Sequence, residues 1–253
     1  MQQLATVSNL AHPCSTGFLV SPTQSQKVLF LERLHQVPQA LATTDMQTFH
    51  DEDFEIVHEK QVFKRYLTLY DRRIKFPAQK GQQRQEHDYD IIGHPQCGFH
   101  FVVTFPFHAS SNDGQAQVTL LREHAQGPNQ MMWVLPTGGF DPLKHGDSWE
   151  AGARAEMSEE AHLNGGDFVQ LTPAGHPGIV EGKWCANRFT PFLCLNPQAD
   201  LSPGSRDEQE CIEVHRISIA ELREIMHSGD MLLPSITTCF LALARLQQED
   251  LIP

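Results

Sequence analysis

The stretch that decides how this chain is read is PTGGFDPLKHGDSWEAGARAEMSEEAHLNGG, residues 136–166. It joins a glycine turn, a variable loop and a segment dense in carboxylates. Gly138 and Gly139 permit a backbone turn that residues with side chains resist. Asp147 or Ser148 can cap the helix that follows, since a short side-chain oxygen accepts from the free amides of a first turn. Within that helix Glu156, Glu159 and Glu160 are spaced i, i+3, i+4 and therefore share one face.

At about 100° per residue, Glu156 and Glu160 fall roughly 20° either side of Trp149, with Glu159 about 60° beyond Glu156. Trp149, Ala153, Met157 and Ala161 form the apolar stripe. Two of the glutamates thus stand at its edge and are partly shielded from water. Shielded carboxylates repel one another unless something neutralises them. A hard divalent cation bound through oxygen, magnesium beside a phosphate substrate, does so. Three glutamates alone ordinarily make a solvated helix face. The glycine turn and the overlap with the apolar edge favour a site.

Around this stretch, 253 residues supply enough chain for one large domain, or one domain with a substantial extension. Hydrophobic residues make up 40% and charged residues 20%, with 16 prolines and 17 glycines, as in a soluble globular protein with many loops. The net charge of -12 gives no global pull toward nucleic acid or an anionic membrane, so neither is an expected partner. A small phosphate ligand needs only a local cation and a basic group or two. The six cysteines are spread without a CxxC pair, and none of the 14 histidines forms a HExxH pair, so no zinc site is expected. No run of 18 apolar residues exists. The first 31 residues lack acidic groups, a feature of transit peptides, but Lys27 is their only basic residue. The expected location is cytoplasmic, with an organelle address left open.

Along the chain, residues 1–26 read as irregular and residues 26–42 as a helix ending near Pro38. From Phe54, FEIVHEKQVFKRYLTLYDRRIKF interleaves β-branched and aromatic residues with charges, as half-buried strands do. KGQQRQEH, residues 80–87, reads as a polar connection. Strand-like segments follow in YDIIGHP, GFHFVVTFPF, AQVTLL and MMWVL, with a turn at SSNDG, residues 110–114. After the carboxylate helix come FVQL and RFTPFLCL, flanking a loop at residues 176–187 able to line a pocket. CIEVHRI then alternates as a strand, Ser218 with Glu221 forms a capping box, Gly229 ends that helix, and SITTCFLALARLQQ is an apolar helix. The expected fold is α/β (α+β), a sandwich with helices flanking a mixed sheet. Its expected division is an N-terminal segment at 1–53, an antiparallel β extension at 54–87 and the main domain at 88–253.

The central stretch resembles the signature of the Nudix hydrolases. That family's box runs glycine, five residues, glutamate, seven residues, arginine, glutamate, an apolar residue, any residue, two glutamates, any residue, glycine, apolar. AEMSEEAHL matches it at Glu156, Met157, Glu159, Glu160 and Leu163. Four positions depart. The gap from Gly138 to Asp147 holds eight residues, Asp147 replaces glutamate, Ala155 replaces arginine with Arg154 beside it, and His162 replaces glycine. The resemblance reaches from about Tyr89 to Leu246 and is nearest the branch that hydrolyses ADP-ribose and other nucleoside diphosphate sugars.

From this resemblance several expectations follow. The fold is the Nudix α/β/α sandwich, and the activity is metal-dependent hydrolysis of a pyrophosphate bond. Glu156, Glu159 and Glu160 hold Mg2+, or Mn2+ in its place. The general base comes from the loop before the late strand, which offers Asp207, Glu208 and Glu210, with Glu208 or Glu210 preferred. Gly138 and Arg122 stand at substrate-contacting positions, and Trp184 and Phe189 are candidates to stack a base or sugar. A homodimer supported by the N-terminal extension is implied by analogy. The competing reading is a catalytically weakened Nudix-fold module that binds a nucleotide or a protein partner, because the box arginine ordinarily orients a carboxylate. A structural protein with a solvated acidic helix is a third.

Overall fold

The computed structural model describes residues 49–253 apart from 80, 110–114 and 207–209. The helix expected at 26–42, the turn at 110–114 and the candidate base Glu208 lie outside the described residues.

Strands β1 (Glu55–Lys64), β2 (Thr68–Lys75) and β3 (Glu86–Gly93) form an antiparallel sheet of their own in the order β1-β2-β3. The YDIIGHP segment, expected to open the run of strands after the polar connection, therefore belongs to this small sheet. Its polar positions find partners there: Asp88 lies opposite Arg73 in the β2/β3 register and accepts from its Nε at 2.7 Å. The Arg73 guanidinium holds the Asp88 carboxyl below its ordinary value.

The main sheet contains β4 (His100–His108), β5 (Gln117–Ala125), β6 (Gln130–Val134), β7 (Thr137–Gly139), β9 (Asp167–Gln170), β10 (Ile179–Val180), β11 (Arg188–Leu195) and β13 (Ile212–Ser218). Two short strands, β8 (Leu163–Asn164) and β12 (Gln198–Ala199), pair with each other beside it. Its main path runs β10-β11-β4-β5-β13, with β4 and β11 parallel and the other neighbours antiparallel. β4 and β5 pair only through Phe107 with Val118 and His108 with Gln117. Beyond that point they part, β4 taking β7 as neighbour at Phe101–Val103 and β5 taking β6 from Leu121 to Ala125.

Helices cover both faces. One face packs α3 (Ile219–Ser228) and α4 (Leu233–Gln248) through Leu222, Cys239, Ala242 and Leu246, all buried against Phe105, Phe107, Leu120 and Leu193. Ser218 and Glu221 close the capping box on α3, and Gly229 ends it in the left-handed region at φ 86°. The opposite face carries α2 (Trp149–Ala161), whose Met157 and Ala161 pack on Leu121, Val134 and Cys194, and whose Ala153 packs on Val102 and Phe192. Strand alternation feeds both layers, because β4 turns Val102 to α2 and Val103, Phe105 and Phe107 to the other side. This is the α/β/α arrangement expected from the sequence.

Candidate active site

Helix α2 lies against the place where β4 and β5 part, and its carboxylates meet the backbone of β7 there. Of the two expected caps, Asp147 and Ser148, the helix uses Ser148, whose hydroxyl accepts from the Ala151 amide at 3.1 Å. The longer loop ahead of it folds into a one-turn helix α1 (Pro142–His145), capped by Asp141, which accepts from the Leu143 amide at 2.9 Å. At the other end, His162 occupies the left-handed region at φ 54°, the position at which the Nudix box has glycine and where a side chain is strained.

Glu160 is 5% exposed and accepts from the Thr137 amide at 2.8 Å. Burial first, and then the charges of Glu156, Glu123 and Glu210, raise its pKa well above the ordinary carboxylate value, against the lowering effect of the Thr137 amide. Glu156 lies hard against Gly138: a methyl group there would stand 1.8 to 2.2 Å from the Glu156 carboxylate. Glycine is thus required at 138 to let this side chain lie on the strand. Glu159 packs against Gly204 in the same way, with a methyl at 204 reaching its Cγ at 2.3 Å.

A fourth carboxylate, Glu123, was not picked out from sequence. On β5 it shares a face with Leu121, which packs on α2. Burial and the charge of Glu210 raise its pKa. The usable signal was the period-two alternation of VTLLRE, which sets Glu123 and Arg122 on opposite faces. Arg122 is accordingly turned from the carboxylates: it pairs with Glu213 at 3.9 Å and lies 5.9 Å from the Trp133 ring.

Arg154, beside the missing box arginine, reaches Glu150 rather than Asp147. Its Nε donates to Glu150 at 2.9 Å, its Nη1 to the Gly165 and Gly166 carbonyls at 3.3 and 3.4 Å, and its guanidinium lies 4.1 Å from the Phe168 ring. Of the candidate stacking residues, Phe189 is 2% exposed and stacked on Phe101 in the core, where it offers no face to a ligand. Trp184 is 52% exposed, stacked on Tyr89 of β3, with the Lys183 ammonium 4.8 Å from its ring. The chain around it is fixed to the small sheet by Ile92 donating to the Trp184 carbonyl and Ala186 donating to that of Ile92.

The chemistry of this donor set fits a hard cation: Glu160 is a buried carboxylate on which the charges of Glu156, Glu123 and Glu210 act. Among the described residues no three His, Cys, Asp or Glu side chains are already gathered to ligating distance. The described residues also include no helix long and apolar enough to cross a membrane.

A family model for the NUDIX domain matches residues 107–232. Among solved structures, that of an ADP compounds hydrolase is similar at a TM-score of 0.61 and 17% identity, covering 82% of this chain and 100% of that one. At this identity the likeness concerns the fold. The NUDIX domain of Shewanella oneidensis NrtR complexed with ADP ribose matches at TM-score 0.43 and 17% identity, over 58% of this chain and 87% of that one. A mutT/nudix family protein from Listeria innocua matches at 0.40 and 15%, over 61% and 97%. No curated protein matches the sequence significantly.

Proposed function

We propose, from the premise that this chain belongs to the Nudix superfamily through its domain at residues 107–232, that it hydrolyses the pyrophosphate bond of a nucleoside diphosphate sugar or an ADP-ribose-like compound. The observation that carries the proposal is Glu160, a buried carboxylate surrounded by the charges of Glu156, Glu123 and Glu210. A fold leaves such repulsion in place only where a cation relieves it or a function repays it.

Glu156, Glu159 and Glu160 would hold Mg2+ or Mn2+, and Glu123 is a candidate fourth carboxylate. The bound ions supply charge neutralisation at the phosphates and a more acidic water. The chain's own groups do the rest. Thr137 orients Glu160 through its amide, and Gly138 leaves room for Glu156. Glu210, whose charge is felt at both Glu123 and Glu160, is assigned to take the proton of the attacking water; Glu208 is the alternative base. One bridging P–O bond breaks, and two phosphomonoesters leave. Trp184 is the exposed aromatic surface offered to a base, beside Lys183.

Strand β1 is exposed along its whole length, including Ile56, Val62 and Phe63, which supports the homodimer as part of this proposal. The weakened-module reading draws support from one observation, the replacement of the box arginine by Ala155. Incubation with Mg2+ and ADP-ribose, ADP-glucose, UDP-glucose or NADH, beside Glu159→Gln and Glu160→Gln, separates the two. Release of nucleoside monophosphate by the parent alone is the expected result. Turnover no higher than that of the variants on every substrate would remove the hydrolase reading.

A further inference from the structure

The arginine missing from position 155 leaves the carboxylate helix without its usual frame, yet its last turn is held from elsewhere. Arg206 donates from Nε to the Glu159 carbonyl at 3.2 Å, from Nη1 to the Ile212 carbonyl at 3.3 Å, and from Nη2 to the Glu160 carbonyl. Two of those acceptors belong to the carbonyls that a helix end leaves without internal partners, and the third opens β13. A cation at this end also meets the negative pole of the helix. The same segment is fastened twice more: Ser158 donates to Asp200 at 2.7 Å, and the Gly204 amide donates to Ser158 Oγ at 3.3 Å.

We infer that Arg206 is a positioning residue that takes over the framing task vacated at Ala155, by clamping the last turn of α2 to the start of β13. The clamp acts through backbone carbonyls of two of the proposed metal-holding glutamates, so it fixes where their side chains originate without touching a carboxylate. Its contact with Ile212 lies two residues beyond Glu210 in sequence. A forked guanidinium is needed to reach three carbonyls on two elements; a lysine ammonium reaches fewer with the same charge. This inference rests on the hydrolase reading above.

The test compares the parent chain, Arg206→Ala and Arg206→Lys in Mn2+ titrations followed by electron paramagnetic resonance, together with kcat and KM on ADP-ribose. Arg206→Ala is expected to weaken Mn2+ binding and lower kcat by about tenfold, the scale of a lost supporting contact, with KM within about twofold because the clamp does not touch substrate. Arg206→Lys is expected to recover less than half of the lost affinity; if Arg206→Ala does not fold, weaker Mn2+ binding by Arg206→Lys decides. Parent-like Mn2+ affinity and kcat in the folded variants, with a parent that binds and turns over, overturn the inference alone. A parent that neither binds Mn2+ nor hydrolyses any substrate overturns the hydrolase reading, and the inference with it.

Discussion

The two halves of the stretch at 136–166 are built on different physical terms. Its C-terminal half is internal: Met157 and Ala161 are buried against the sheet, Glu160 is drawn in with them, and Glu156 fits only because residue 138 has no side chain. Its outer part, the loop at residues 141–148 and the flank of the helix, is peripheral, with Leu143 96% exposed in the one-turn helix and Arg154 tied to Glu150. The difference teaches that the placement of the carboxylates is set by packing, whereas loop length and the neighbouring arginine tune what surrounds them. Substitutions in the inner half should therefore change chemistry, and those in the outer half should change only stability.

The largest effect is expected from Glu160→Gln, a loss of about 10³-fold in turnover, the upper end for removing one electrostatic group. The same variant should stabilise the metal-free protein. Glu160 has a folded pKa raised above its ordinary 4.5, so above pH 4.5 and up to that raised value the native state holds more protons than the unfolded one. Stability then falls as pH rises through this window. Thermal melts of the metal-free parent should show that decline, and Glu160→Gln should lose it.

Gly138→Ala comes next, with a loss of about 10²-fold as the new methyl displaces the Glu156 carboxylate by roughly an ångström. Turnover equal to the parent would mean that Glu156 has no fixed task. In the outer half, Ser148→Ala should cost about 1 kcal/mol through its lost cap, read as a lower Tm with kcat unchanged. Arg154→Ala should cost less than about 1 kcal/mol. A tenfold fall in kcat for Arg154→Ala would break the contrast, because the frame would then run through this side. A further effect lies apart from both halves. Burial, and then Arg216, push the His108 pKa down to about 4 from 6.5. The unfolded chain therefore binds the extra proton across that window, stability falls as pH drops from 6.5 to about 4, and His108→Gln should flatten the decline.

The layers of the sandwich, the caps at Ser148 and Ser218 and the register of the three glutamates were legible because each depends on local spacing. Glu123 is legible in principle from strand alternation, whereas the family likeness points to Arg122, which stands on the opposite face. The pairing of YDIIGHP with β2 turned on partners such as Arg73, which no alternation within the segment names. Phe189 was ambiguous because a large aromatic on a strand reads alike in a core and in a pocket. Arg206 left no local signal at all: its contacts with Glu159 and Glu160 span 47 and 46 residues.

The most direct measurement is a calorimetric Mg2+ titration of the parent and of Glu160→Gln at neutral pH. If buried repulsion on α2 exists to hold a divalent cation, the parent binds with proton release and the variant shows no binding in the same range. Equal binding in both, or none in either, would contradict that claim.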